Sequence, residues 1–168
     1  NGSTKQSLEP MNYNNLIINN SSHETQALIG SYFIENLKIE QGKFKPGNLT
    51  IENAQIDTLG IIEIGGSSPI FIDSIIVNGS VLISSNLASP TFNTLIIGLN
   101  GEFNNNSSSD VIITSSLQNY GNFIGCLGTA CDYSFTTNPS FILGTKEILI
   151  PRLNGPIIHN SGLLTIAK

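Results

Sequence analysis

The sequence predicts an all-β chain wound as a parallel β-solenoid, with coils of about 16–22 residues. Three observations carry this. Apolar residues alternate with polar ones and do not recur at the three- and four-residue intervals of a helix. A short motif returns at roughly 20-residue spacing: an apolar residue, two turn-forming residues, then Leu/Ile/Val-x-Ile/Val. Polarity comes from 21 Asn, 20 Ser and 12 Thr beside 26 Ile, in 168 residues of which only 11% are charged. That is strand-forming material with uncharged corners.

Residues 1–12 form a polar N-terminal segment or cap, without an apolar signal core. They read as the start of a mature chain, of an excerpt, or of a protein that never carried a signal. Coils follow over residues 13–124. The motif appears as Tyr13-Asn14-Asn15-Leu16-Ile17-Ile18 and Ile34-Glu35-Asn36-Leu37-Lys38-Ile39. It recurs as Ile56-Asp57-Thr58-Leu59-Gly60-Ile61, Ile72-Asp73-Ser74-Ile75-Ile76-Val77 and Phe92-Asn93-Thr94-Leu95-Ile96-Ile97, with a weaker copy at Ser109-Asp110-Val111-Ile112-Ile113. Steps between positions 16, 37, 59, 75, 95 and 111 are 21, 22, 16, 20 and 16 residues. Stacked coils bring equivalent residues into columns ~4.8 Å apart, so Leu16, Leu37, Leu59, Ile75 and Leu95 are expected to form one internal column. The small polar residues before them, Asn15, Asn36, Thr58, Ser74 and Thr94, suit a tight corner. Glycine follows the motif at Gly42, Gly79 and Gly101, and Phe44, Val81 and Phe103 then open another apolar face. Leu49-Thr50-Ile51 and Val81-Leu82-Ile83 supply further strands of each coil. Residues 125–140 break the pattern as an inserted loop, and residues 141–168 return to it with Ile148-Leu149-Ile150 and Leu164-Thr165-Ile166, 16 apart. The alternative is an antiparallel β-sandwich, which also spaces short strands evenly but does not require similar corners at similar places.

The Ile-Asp-Thr-Leu-Gly-Ile and Ile-Asp-Ser-Ile-Ile-Val coils resemble those of right-handed parallel β-helices. Pectin-lyase-like enzymes, autotransporter passengers and filamentous-haemagglutinin-type adhesins share that coil. The resemblance covers residues 13–113 and, more loosely, 145–168. It implies an architecture that hosts both catalysis and adhesion, so function has to be argued from side chains.

Glu35, Asp57 and Asp73 share a motif position, which predicts three carboxylates on one corner of successive coils. Such a group can bind a cation, or one member can keep its proton and act as an acid. Paired carboxylates are also what glycoside hydrolysis uses, which makes Asp57 and Asp73 the catalytic candidates. The plain alternative is three solvated corner residues, and Asn14 and Asn93 interrupt the column. The lyase branch of the resemblance implies calcium-binding aspartates with a basic residue, but the single arginine, Arg152, has no acidic cluster beside it. His23 and His159 lie too far apart in sequence to read as a metal site, and no phosphate loop, nucleophile elbow or zinc spacing occurs. No cofactor is expected.

Cys126 and Cys131 enclose four residues in the inserted loop, which suits a local disulfide better than a redox pair, since the spacing is not Cys-x-x-Cys. A disulfide implies an oxidising compartment, extracellular or at the cell surface. Glycosylation sequons fall at Asn1, Asn19, Asn20, Asn48, Asn78, Asn105 and Asn106, with Asn19, Asn48, Asn78 and Asn105 taken as the candidate sites.

Seven basic residues against twelve acidic ones leave a net charge of −5, without the basic footprint a nucleic-acid partner requires. No apolar run approaches the ~18 residues of a helical membrane span. A flat ice-binding face would carry Thr-x-Thr ladders, and none occurs. What remains is a structural or adhesive surface protein, self-associating end to end or forming part of a longer solenoid. A surface glycan or a host or neighbour surface is a further partner class. The second reading is a polysaccharide-active enzyme, against which stands the absence of Trp for stacking sugars.

Overall fold

The computed structural model describes residues 5–107 and 109–124, and beyond them six strands between Tyr133 and Ile166. After β1 (Gln6–Leu8) come three long strands that run around corners: β2 (Tyr13–Ala27), β3 (Phe33–Lys45) and β4 (Thr50–Ile64). Shorter strands continue the winding: β5 (Ile70–Val77), β6 (Ser80–Ile83), β7 (Thr91–Ile97), β8 (Glu102–Asn105), β9 (Val111–Asn119) and β10 (Asn122–Ile124). Last are β11 (Tyr133–Phe135), β12 (Ser140–Leu143), β13 (Glu147–Ile150), β14 (Leu153–Asn154), β15 (Ile158–His159) and β16 (Leu163–Ile166).

Every pairing among these strands is parallel. Parallel strands need a crossover, and here the crossover is the remainder of each coil. The fold is a parallel β-solenoid of about 6 turns with coils of about 20 residues, and the sandwich is excluded.

Each coil lays one rung on each of three ladders. The first aligns Ile34, Ile51, Phe71, Phe92 and Ile113, all fully buried. The second aligns Leu16, Leu37, Ala54, Ile75, Leu95 and Leu117, and beside them Ile18, Ile39, Ile56, Val77, Ile97 and Asn119. The third aligns Phe44, Ile62, Val81, Phe103 and Phe123. Within the core the aromatic rings form a spine. Phe71 and Phe92 stack at 5.0 Å, Phe92 meets Phe103 edge-on at 5.9 Å, and Phe103 stacks on Phe123 at 4.9 Å. Phe92 thereby ties the first ladder to the third.

The internal column corrects one expectation. Ala54, not Leu59, sits between Leu37 and Ile75, and Leu59 is 72% exposed. The coil starts at Thr50, and its motif is Ile51-Glu52-Asn53-Ala54-Gln55-Ile56. Gly60 is a corner residue paired with Gly42, which leaves Leu59 on the outside of the bend. Thr58 likewise yields its corner place to Asn53. The weaker copy at residues 109–113 belongs to the first ladder, since Ile113 pairs with Phe92, and Leu117 takes the column position. Corrected steps between 16, 37, 54, 75, 95 and 117 are 21, 17, 21, 20 and 22 residues. Ile148 and Leu164 do pair with each other, but on the third ladder after Phe123. Within residues 125–140, β11 continues the first ladder on Val111–Ile113.

The corner between second and third ladders is held by glycines. A Cβ on Gly60 would meet the Ile39 carbonyl oxygen at 2.6 Å, and one on Gly101 would meet the Val77 oxygen at 1.9 Å. At that distance no side chain fits, so successive coils can close up only where Cβ is missing.

The polar N-terminal segment supplies β1, which lies parallel on Thr25, Gln26 and Ala27 of β2. Leu8 is buried, and its carbonyl accepts bonds from the Leu28 N–H at 3.2 Å and the Tyr32 hydroxyl at 3.4 Å. This strand covers the third ladder only.

Candidate functional site

Ladder register decides which carboxylates meet. Ile34 pairs with Ile51 and Asn36 with Asn53, so Glu35 lies opposite Glu52. Ile51 pairs with Phe71 and Asn53 with Ser74, which places Asp73 at the same corner. Asp57 follows Ile56 at the far end of the second ladder. It is separated from Asp73 by about five residues of strand, roughly 16 Å. Carboxylates that cooperate in glycoside hydrolysis stand ~5–9.5 Å apart, so the expected Asp57–Asp73 pair is not formed. The expected Glu35–Asp57–Asp73 cluster is likewise not assembled, and Glu52 is the residue that replaces Asp57 in the row. Among the described residues no group of three or more His, Cys, Asp or Glu side chains converges to hold a metal ion.

Asp57 instead belongs to an ion-pair cluster. The Lys38 ammonium lies 3.0 Å from Glu40 and 3.4 Å from Asp57, and Gln55 donates to Asp57 at 2.8 Å. Glu40 also accepts from the Asn19 amide at 2.7 Å. Hydrogen bonding to Glu40, then to Asp57, raises the Lys38 pKa above the ordinary lysine value, and Lys38 and Asn19 lower that of Glu40.

A second electrostatic feature runs along the third ladder. Lys5 bonds Glu24 at 3.0 Å, Glu24 bonds Lys45 at 2.9 Å, and Lys45 reaches Glu63 at 3.6 Å. Glu63 also pairs with Lys43 and accepts from the Ser84 hydroxyl at 3.2 Å. Charge therefore alternates from coil to coil and ties β1 to the body. Hydrogen bonding to Lys45 lowers the Glu24 pKa against a smaller effect of burial. For Glu63 burial is the largest single influence and acts upward, but Lys43, Lys45 and Ser84 together carry the pKa below its ordinary value. Sequence reading by motif missed this row. Comparing charges one coil apart, Lys43 and Lys45 against Glu63, would have found it.

Two parallel rows line the outer surface of the second ladder. One is Asn15, Asn36, Asn53, Ser74, Thr94 and Ser116; the other is Ile17, Lys38, Gln55, Ile76, Ile96 and Gln118. Between them over the first four coils lies a groove of about 470 Å³ floored by Leu16, Leu37 and Ala54. Rung-to-rung bonds order its amides: Asn36 donates to the Asn14 carbonyl at 3.3 Å, and the Ser74 hydroxyl to Asn53 at 3.2 Å.

The sequon asparagines divide by burial. Asn48 is exposed in a corner, where its side chain accepts from the Ser68 N–H at 2.8 Å. Asn19 is exposed and engaged with Glu40 and Gln41, and Asn78 is half-buried. Asn105 is a correction: it is fully buried, donates to the Ser109 carbonyl at 2.9 Å and accepts from the Ser107 hydroxyl at 2.6 Å. A glycan on that nitrogen has no room in the folded chain. Cys126 and Cys131 lie outside the described residues, as does Arg152.

No protein-family model matches the chain, and neither does a curated protein or a solved structure. What stands of the resemblance to pectin-lyase-like enzymes and adhesins is the parallel β-solenoid itself, and no match ties the chain to either group.

Proposed function

We propose that the chain is a structural, adhesive solenoid module of an extracellular or cell-surface protein, working by association and not by turnover. One observation carries the reading: register keeps an uncharged amide or hydroxyl in line on every rung from Asn15 to Ser116, a continuous neutral row across six coils. Repeated equal groups at fixed spacing suit extended contact with another surface. The catalytic pair named from the motif is not assembled, since register separates Asp57 from Asp73 along the strand.

Association along the axis fits the same geometry. Among the described residues, residues 13–18 of β2 pair with β3 on one side, while β1 covers only residues 25–27. Such an edge accepts a further parallel rung, from a continuing solenoid or from another copy. Electron microscopy and sedimentation of the purified chain at rising concentration test this together with retention on cell-surface preparations. Filaments or surface retention support the proposal. A monomer that neither adheres nor assembles, or one that turns over a polysaccharide, overturns it.

A further inference from the structure

The groove on the second ladder spans four rungs, so its length is roughly 14 Å at the ~4.8 Å spacing of parallel strands. Its backbone groups point along the axis into the ladder, and an occupant therefore meets side chains only. Asn15, Asn36, Asn53 and Gln55 each offer a donor and an acceptor. Lys38 is the one charged residue lining the groove, and Glu40 and Asp57 already hold it. A polyanion therefore finds no free counter-charge there, and the carboxylates of Glu35, Glu52 and Asp73 stand one residue outside the lining, on the corner and not in the groove. An extended peptide repeats its side chains every two residues at about 6.6 Å, out of step with the rungs. A neutral chain of pyranose rings advances by close to one rung per ring and offers paired hydroxyls to each amide. Ile17 and Ile76, 61% and 38% exposed, give the C–H faces of such rings an apolar bed.

We propose that this groove binds an extended neutral oligosaccharide lying along the solenoid axis, about one ring to a coil. The proposal rests on the adhesive reading above and names its ligand class.

Isothermal titration of the full chain with cellohexaose and chitohexaose tests it, with polygalacturonate and a neutral extended peptide as competitors. At least one neutral hexasaccharide is expected to bind saturably. The double variant Asn36→Ala/Asn53→Ala should weaken binding tenfold or more, while Asn104→Ala/Asn122→Ala on the third ladder stays within twofold of the parent. Should the groove pair fail to fold by circular dichroism, Ile76→Lys on the exposed rim decides, and it too should weaken binding tenfold. No hexasaccharide binding, binding insensitive to both groove variants, or preference for polygalacturonate or peptide would each overturn the proposal. Surface retention is measured in parallel. Retention that survives the groove variants sinks the groove and leaves the adhesive reading standing, whereas an unmodified chain that neither adheres nor assembles removes the adhesive reading itself.

Discussion

At Gly101 a single missing carbon sets how closely two coils approach. A Cβ there would lie 1.9 Å from the Val77 oxygen, whereas at Gly65 the nearest atom, the Ser84 hydroxyl oxygen, is 3.4 Å away. Gly101→Ala is therefore expected to destabilise the chain by about 3 kcal/mol, and Gly65→Ala to stay within about 0.5 kcal/mol, in urea titrations. Leu59 and Ile75 make a second contrast. Ile75→Asp puts a charge in a fully buried column and should abolish folding, while Leu59→Asp alters a side chain already 72% exposed and should leave the urea midpoint nearly unchanged. Leu59 looked like a core residue because Leu-x-Ile imitates the motif. The true copy carries Ala54, whose small side chain gives a weak apolar signal, and only stacking on Gly42 reveals that Gly60 turns a corner. Asn105 was equally unreadable, since a sequon says nothing about burial. Peptide mapping of chain secreted by a glycosylating host should find Asn48 modified and Asn105 bare.

Among the elements, the third ladder has the clearest pH response. Glu24 and Glu63 titrate below their ordinary 4.5 in the folded chain, so their contribution is complete above that pH and disappears as pH falls through the lowered folded values. Lys45 titrates above 10.5, chiefly through its bond to Glu24; its contribution is complete below that value and is lost as pH rises through the raised one. Partly exposed pairs of this kind contribute about 0.2–1 kcal/mol each, less in salt. Hydrogen-exchange protection of β1 and the facing part of β2 is expected to fall as pH drops below 4.5, and to fall more than protection of β7. Glu24→Gln, which removes the carboxylate that holds Lys5, should flatten that difference, and an equal loss in all strands would contradict the assignment. The aromatic spine is the apolar counterpart. Phe92 touches rings on two ladders, and Phe92→Ala should cost about 3–5 kcal/mol, measurable by denaturant titration. The apolar alternation of the rungs was legible in sequence. Ion pairs were not, because partners one coil apart acquire meaning only after the coil length is known.

For the whole molecule, stability accumulates coil by coil along one continuous core. Amides of β4, β5 and β7, stacked on both sides, should exchange more slowly than those of β2, whose residues 13–18 have, among the described residues, a strand partner on one side only. Parallel winding and coil length could be read from periodicity, because columns of Ile and Leu at equal spacing have few other physical solutions. The three-ladder layout was harder to read. Corners of two residues, such as Asn78-Gly79, and of four, such as Gly98-Leu99-Asn100-Gly101, shift the phase by different amounts. Direction also has a mechanical meaning in this architecture. Backbone hydrogen bonds between rungs lie along the axis, so tension applied between the two ends of the stack loads one coil boundary at a time instead of shearing many together. Coils of about 20 residues each release roughly 60–70 Å of contour when they peel away. A tether built this way yields in small equal steps and absorbs work without parting, and single-molecule pulling would register it as a regular train of low-force events.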